Sequence, residues 1–205
     1  MHRNRAWNHN VHYHDLILHL VGHHGDRALD VGCGQGLLAR LLAERFDEVV
    51  AIDPDRQSLA DARALGEDQP RIEYVEGDVM SYAFDGESFD CITAVASLHH
   101  LPLEPALVRF RDLLKPGGFL VVIGLYRESG IADYVNAAIA LPISRILRIV
   151  NGYSELGAPI APPKETLREI REASGRLLPG SFLKRRLLFR YSLVWRSPAQ
   201  QLVQP

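Results

Sequence analysis

Leu29-Asp30-Val31-Gly32-Cys33-Gly34-Gln35-Gly36 decides the fold. An apolar strand runs into a glycine-rich turn, and residues 35–45 follow with helical spacing, Leu37, Leu38, Leu41 and Leu42 forming the apolar side. Working outward, the same alternation repeats. Residues 27–31, 48–52, 72–75, 89–95 and 119–125 read as strands, and residues 11–21, 35–45, 56–65 and 103–114 as helices. Asp53-Pro54 stops one strand, Gly66 ends one helix, and Lys115-Pro116-Gly117-Gly118 ends another. The run Phe89-Asp90-Cys91-Ile92-Thr93-Ala94-Val95 is nearly all apolar, as a strand covered on both faces requires. Strands alternating with helices predict an α/β fold: a doubly wound, mostly parallel, seven-stranded sheet with helices on both faces. After Leu125 the alternation breaks. Residues 126–163 form a helical insertion after the fifth strand, and residues 164–205 a charged helix (164–173) and an antiparallel strand pair, so that the last strand is antiparallel.

Composition narrows the class. The 205 residues are 47% hydrophobic and 23% charged, with a net charge of -2. That composition fits one globular domain, 1–205, with a sizeable core, and gives no overall basic field for nucleic acid. Charge is uneven: from Lys164 onward nine Lys/Arg accompany three Asp/Glu, which reads as a solvated basic edge. Cys33 and Cys91 form no Cys-x-x-Cys pair and no disulfide framework. No apolar run follows the first charges, and none is long enough to span a membrane. A cytoplasmic setting is the expectation.

The chemistry lies at the glycine turn. Glycines allow positive φ and close backbone approach, and a helix N-terminus offers free N–H groups to an anion. Asp53 ends the second strand, twenty-one residues after Gly32, where a carboxylate can accept both hydroxyls of a ribose. These features fit a dinucleotide or an adenosyl ligand. The spacing Gly32-x-Gly34-x-Gly36 differs from the Gly-x-Gly-x-x-Gly of dinucleotide sites, and no Tyr-x-x-x-Lys accompanies it. Asp30, just before the glycines, can meet an ammonium group, which S-adenosylmethionine carries and a dinucleotide lacks.

From Val11 to Gly124 the chain resembles the class I, S-adenosylmethionine-dependent methyltransferases of the small-molecule group. Leu29–Gly36 is similar to the family's first motif, Asp53 to its ribose-binding acid, and Gly77-Asp78-Val79 to the motif whose Asp and following backbone hold adenine. Phe89–Val95 followed by Leu98-His99-His100-Leu101 resembles the strand beside the methyl group, and Leu113–Gly118 the turn before the fifth strand. The resemblance implies S-adenosyl-L-methionine as cofactor, held by Asp30, Gly32, Gly34, Gly36, Asp53, Asp78, Val79 and Val95. Many relatives carry a polar residue where Val95 stands, so any contact there is through backbone. The implied reaction is in-line methyl transfer with the two reactants positioned by the protein.

His99 and His100 follow the fourth strand, where either could act as general base; packing and backbone hydrogen bonds are the alternative. Seven of nine histidines precede Gly25, His19 and His23 on one helix face, yet no Cys pair or carboxylate constellation completes a metal site, so none is expected. Residues 11–24 read as a lid helix over the 27–125 core, with Tyr13 the residue expected over the methionine end of the cofactor; simple packing is the other reading. Residues 131–150 are apolar enough to cap a pocket for an apolar or aromatic acceptor, to form a homodimer interface, or, with Arg145 and Arg148, to meet a membrane surface. No Pro-Cys pair or Asn/Asp-Pro-Pro-aromatic motif points to DNA. The expected activity is methyl transfer to an O, N or C nucleophile of a small, apolar or aromatic molecule. The competing readings are a non-catalytic S-adenosylmethionine-binding protein and an RNA or protein methyltransferase.

Overall fold

A computed structural model describes residues 8–22, 25–66, 69–86, 88–129, 145 and 161–199. Seven strands form one sheet: β1 (Gly25–Val31), β2 (Phe46–Asp53), β3 (Ile72–Glu76), β4 (Phe89–Val95), β5 (Leu114–Leu125), β6 (Phe182–Arg186) and β7 (Arg190–Arg196). Their order is β3-β2-β1-β4-β5-β7-β6. All pairs through β5 are parallel, and β7 is antiparallel to both β5 and β6. The last two strands form the expected antiparallel pair, with the final strand inserted between β5 and its own hairpin partner.

The helices are α1 (His14–Val21), α2 (Leu37–Leu42), α3 (Arg56–Leu65), α4 (Leu103–Leu113) and α5 (Leu167–Leu177). Successive strand residues face opposite ways, so the sheet divides two cores by residue parity. Leu29, Val31, Val50, Ile52, Ile92, Leu120 and Val122 pack with Leu107, Phe110, Leu167 and Ile170 of α4 and α5. Ala28, Val49, Ala51, Cys91, Val121 and Ile123 face Ile17, Leu38, Leu41 and Leu42 of α1 and α2. This two-sided burial is why the central strands read as unbroken apolar runs.

Several boundaries differ from the sequence reading, most of all β5, which begins at Leu114 and takes in Lys115-Pro116-Gly117-Gly118, the stretch read as the turn before it. Residues 11–21 begin with a 3-10 turn, Val11–Tyr13, before α1. Instead of spanning 35–45, α2 is only six residues, because Gly36 takes a left-handed φ of 68° at its start and β2 begins at Phe46. The charged helix is α5: it starts three residues later than expected, after Thr166, and continues through Gly175 to Leu177. A capping box fixes that start, Thr166 Oγ1 accepting from the Glu169 N–H while the Glu169 carboxylate accepts from the Thr166 N–H. The insertion expected to form a cap, 131–150, lies outside the described residues apart from Arg145.

Candidate active site

The order of the sheet reverses between β1 and β4, so a crevice opens at their carboxyl ends. There the N–H groups of Gly32 and Cys33 both donate to the Ile52 carbonyl (2.8 and 3.2 Å), folding the glycine turn over the end of β2. Gly32 has φ 69°, and a Cβ on it would stand 2.5 Å from that of Ser97, whose hydroxyl donates to the Val31 carbonyl at 2.7 Å. Gly34 has φ 52°, and a Cβ there would meet nothing within 4 Å. One side of the turn is thus sealed against β4 and the other is open to a ligand. The helix that follows, α2, is short, its Ala39 N–H acts on the Asp30 carboxylate, and just ahead of it the Gly34 N–H donates to Asp53 Oδ2 (2.8 Å).

The carboxylates sit at three strand ends. Asp30 is 2% exposed; Oδ1 accepts from the Thr93 hydroxyl (2.8 Å), and the Ala39 N–H of α2 also acts on the carboxylate, although Oδ2 has no partner in full hydrogen-bond geometry. Burial, with a smaller contribution from the Asp53 charge, pushes its carboxyl up to about 7. A buried carboxylate without its full set of donors is costly, and an ammonium group would satisfy it. Asp53 is 9% exposed and accepts from the N–H groups of Gly34 and Asp55, each at 2.8 Å. Its main-chain carbonyl accepts from the Gly77 N–H (3.1 Å), which brings Gly77-Asp78-Val79 beside it. Asp78 is exposed and its Oδ1 accepts from the Met80 N–H (2.9 Å), while Val79 is buried. Val95 is half-buried at the end of β4, and the chain then turns sharply through Ala96 at φ 52°. A non-glycine residue in that region carries strain of a kind common at ligand sites.

Beyond Ser97 a 3-10 turn, Leu98–His100, presents the histidine pair. His99 is 8% exposed and His100 is exposed, their rings 4.0 Å apart and tilted by 40°. Burial, then the charges of His100 and Arg190, lower His99 to about 4, so its ring is neutral near pH 7. Its Nδ1 is buried without a partner in full hydrogen-bond geometry, and the Ala161 backbone near the ring acts in the opposite direction to the burial.

Tyr13 is buried, and its hydroxyl donates to the Leu187 carbonyl (2.5 Å). Nearby, Arg190 Nη2 donates to Asn10 Oδ1 (2.9 Å). The N-terminal turn is therefore latched to the β6–β7 hairpin. Burial pushes the Tyr13 hydroxyl up to about 12, so it stays a donor. Arg190, read from sequence as part of a solvated basic edge, is instead 8% exposed beside the histidines; alternation of polar and apolar residues could not distinguish it from its neighbours. Burial raises both cysteines, leaving Cys33 and Cys91 as thiols and not nucleophilic thiolates. Among the described residues, no group of three or more His, Cys, Asp or Glu could hold a metal ion, and no helix is long and apolar enough to cross a membrane.

Residues 29–122, the strands and turns that build this crevice, match the family model described as a methyltransferase domain. An uncharacterized methyltransferase of Mycobacterium tuberculosis is 35% identical over 202 residues, covering 95% of this chain and 98% of the relative. The chain belongs to the class I, S-adenosylmethionine-dependent methyltransferase family. A ubiquinone biosynthesis O-methyltransferase of Aliivibrio fischeri is 31% identical over 129 residues, 62% of this methyltransferase and 53% of that protein. In fold, it is similar to the crystal structure of an S-adenosylmethionine-dependent methyltransferase from Aquifex aeolicus, with a TM-score of 0.62 at 16% identity, covering 89% of this chain and 88% of that one. The family's cofactor supplies a sulfonium-bound methyl group. The residues present are compatible with it: a buried carboxylate at Asp30 without a full complement of donors, open space at Gly34, and a second nearly buried carboxylate, Asp53, at the end of β2.

Proposed function

We propose that this methyltransferase transfers the methyl group of S-adenosyl-L-methionine to a nucleophile, oxygen foremost, on a small apolar or aromatic molecule. The buried Asp30 carboxylate carries the reading: it lies beside an open glycine turn, its Oδ2 has no partner in full hydrogen-bond geometry, and a buried carboxylate so placed favours a cationic partner. Asp30 would hold the ammonium group, Asp53 the ribose hydroxyls, Asp78 and Val79 the adenine, and Val95 would line the crevice through backbone. Gly32, Gly34 and Gly36 let the main chain approach the ligand. Tyr13 would close the methionine end from the N-terminal turn. His99 and His100 are the candidate bases, and residues 131–150 the candidate cap over the acceptor. The O-methyltransferase named among the relatives favours oxygen over nitrogen or carbon.

These residues bind and orient the two reactants and exclude water, which is where most of the acceleration of a direct transfer comes from. Calorimetry with S-adenosylhomocysteine and NAD tests the cofactor assignment, and label transfer from methyl-labelled cofactor to a panel of hydroxylated aromatics tests the activity. Homocysteine-nucleoside binding with negligible NAD binding is the expected result. Tighter binding of NAD would overturn it.

A further inference from the structure

Resting on that reading, we propose that Arg109 is the positioning residue of the base subsite: from α4 it holds the Asp78-Val79 loop in the shape that accepts adenine and rejects hypoxanthine. The loop after β3 has no helix or strand of its own. It closes on itself, the N–H groups of Ser81 and Tyr82 both donating to the Asp78 carbonyl (3.0 and 2.9 Å), and the Gly77 N–H ties its start to β2. Arg109 supplies the outer tie. Its Nε donates to the Val79 carbonyl (3.3 Å) and its Nη2 to the Tyr82 carbonyl (2.6 Å), so one planar fork spans the loop. The guanidinium carbon also lies 5.9 Å from the centre of the Phe84 ring, which packs on Tyr82 at 4.5 Å and edge-on against Phe89 of β4 at 5.5 Å. The helix behind Arg109 is rigidly seated, because Ala106, Leu107, Phe110 and Leu113 are fully buried in the core.

Holding these carbonyls aims the groups that would read the base. Asp78 is exposed, and the bond from the Met80 N–H to its Oδ1 (2.9 Å) orients the carboxylate. Among the described residues the Val79 N–H donates to no protein group, although Val79 is 3% exposed. That N–H shares a rigid peptide plane with the Asp78 carbonyl. Arg109 fixes the next plane through the Val79 carbonyl, and it fixes Tyr82, one of the donors to Asp78, through its own. An acceptor and a donor on adjacent residues match the edge of adenine, whose exocyclic amine donates and whose neighbouring ring nitrogen accepts. Hypoxanthine reverses both, presenting a carbonyl and an N–H, so each contact would pair like with like. Discrimination needs the two groups at one spacing, and the fork of Arg109 is what keeps it.

Calorimetry of the whole protein with S-adenosylhomocysteine and S-inosylhomocysteine tests this. The parent is expected to prefer the adenosyl compound by at least about tenfold. Arg109→Met keeps the aliphatic bulk and removes both donors. It is expected to weaken S-adenosylhomocysteine about tenfold and S-inosylhomocysteine less than about twofold, so that the preference collapses. Arg109→Lys keeps the charge and the stem but not the fork, and should lose most of the preference as well. It carries the test by itself if a thermal melt shows the Met variant unfolded. A role confined to general stability would weaken both ligands in the same proportion. Equal weakening, an undiminished preference in either variant, or a parent that binds the two ligands alike would overturn the proposal. Failure of the parent to bind S-adenosylhomocysteine would instead overturn the cofactor reading on which it rests.

Discussion

Asp30→Asn removes the charge of the most deeply buried carboxylate at the crevice while keeping its shape. Asn can still accept from the Thr93 hydroxyl, now 2.8 Å from Oδ1. Burial raises Asp30 from its ordinary 3.8 to about 7 in the folded protein. Between those values the native state holds a proton that the unfolded chain has released. The stability associated with that proton is fully present below 3.8, falls as pH rises, and is gone above about 7. The whole window of about three units corresponds to a loss of roughly 4 kcal/mol, less whatever relaxation of the surroundings recovers. About two of those units lie between pH 5 and pH 8, so the variant should gain roughly 3 kcal/mol on the parent across that interval. Other titrating groups affect both proteins alike, so urea denaturation of the pair at the two pH values isolates Asp30. Cofactor binding should move the opposite way. Below about 7 an ammonium must displace the carboxyl proton, so the parent's affinity for S-adenosylhomocysteine should fall by up to about tenfold per unit. The variant should bind weakly with no such slope. Parallel stability curves for parent and variant, or parallel pH profiles of cofactor affinity, would refute both the burial argument and the ammonium assignment.

Asp53→Ala removes the carboxylate proposed to accept from the ribose, along with the tethers to the Gly34 and Asp55 N–H groups. Calorimetry should show roughly ten- to a hundredfold weaker S-adenosylhomocysteine binding, and denaturation a loss of about 1–3 kcal/mol; unchanged affinity would remove the ribose assignment. Gly32→Ala places a methyl group against Ser97 in a left-handed conformation and should cost about 3 kcal/mol or more. Gly34→Ala meets only the backbone strain, about 1–2 kcal/mol, yet should impair cofactor binding, because its added methyl points into open space on the ligand side; equal destabilisation by the two would contradict the sealed and open faces of the turn. Thr166→Ala breaks the capping box of α5 and should lower stability by about 1 kcal/mol in a thermal melt followed by circular dichroism, without changing cofactor affinity.

The strand and helix alternation, the parallel core and the glycine turn were legible in sequence because their signals are local. Phe89–Val95 must be covered on both faces whatever surrounds it, and three glycines in five residues can serve only a turn that demands them. Asp30, Asp53 and Gly77-Asp78-Val79 could be placed at strand ends for the same reason. What no local pattern encodes is which groups become buried together. That β7 inserts between β5 and β6 depends on long-range pairing, and it carries Arg190 out of a basic tail to a buried place beside His99. The latch from Tyr13 to Leu187 joins residues 174 apart in the chain. His99 and His100 are adjacent and alike in sequence, yet one is buried and held neutral while the other is exposed. The sequence by itself determined the elements and the strand ends at which ligands meet the sheet. Tertiary packing alone decided that the Asp30 carboxylate is buried and raised and that His99, not His100, is buried and held neutral, since desolvation depends on every neighbour at once and not on spacing along the chain.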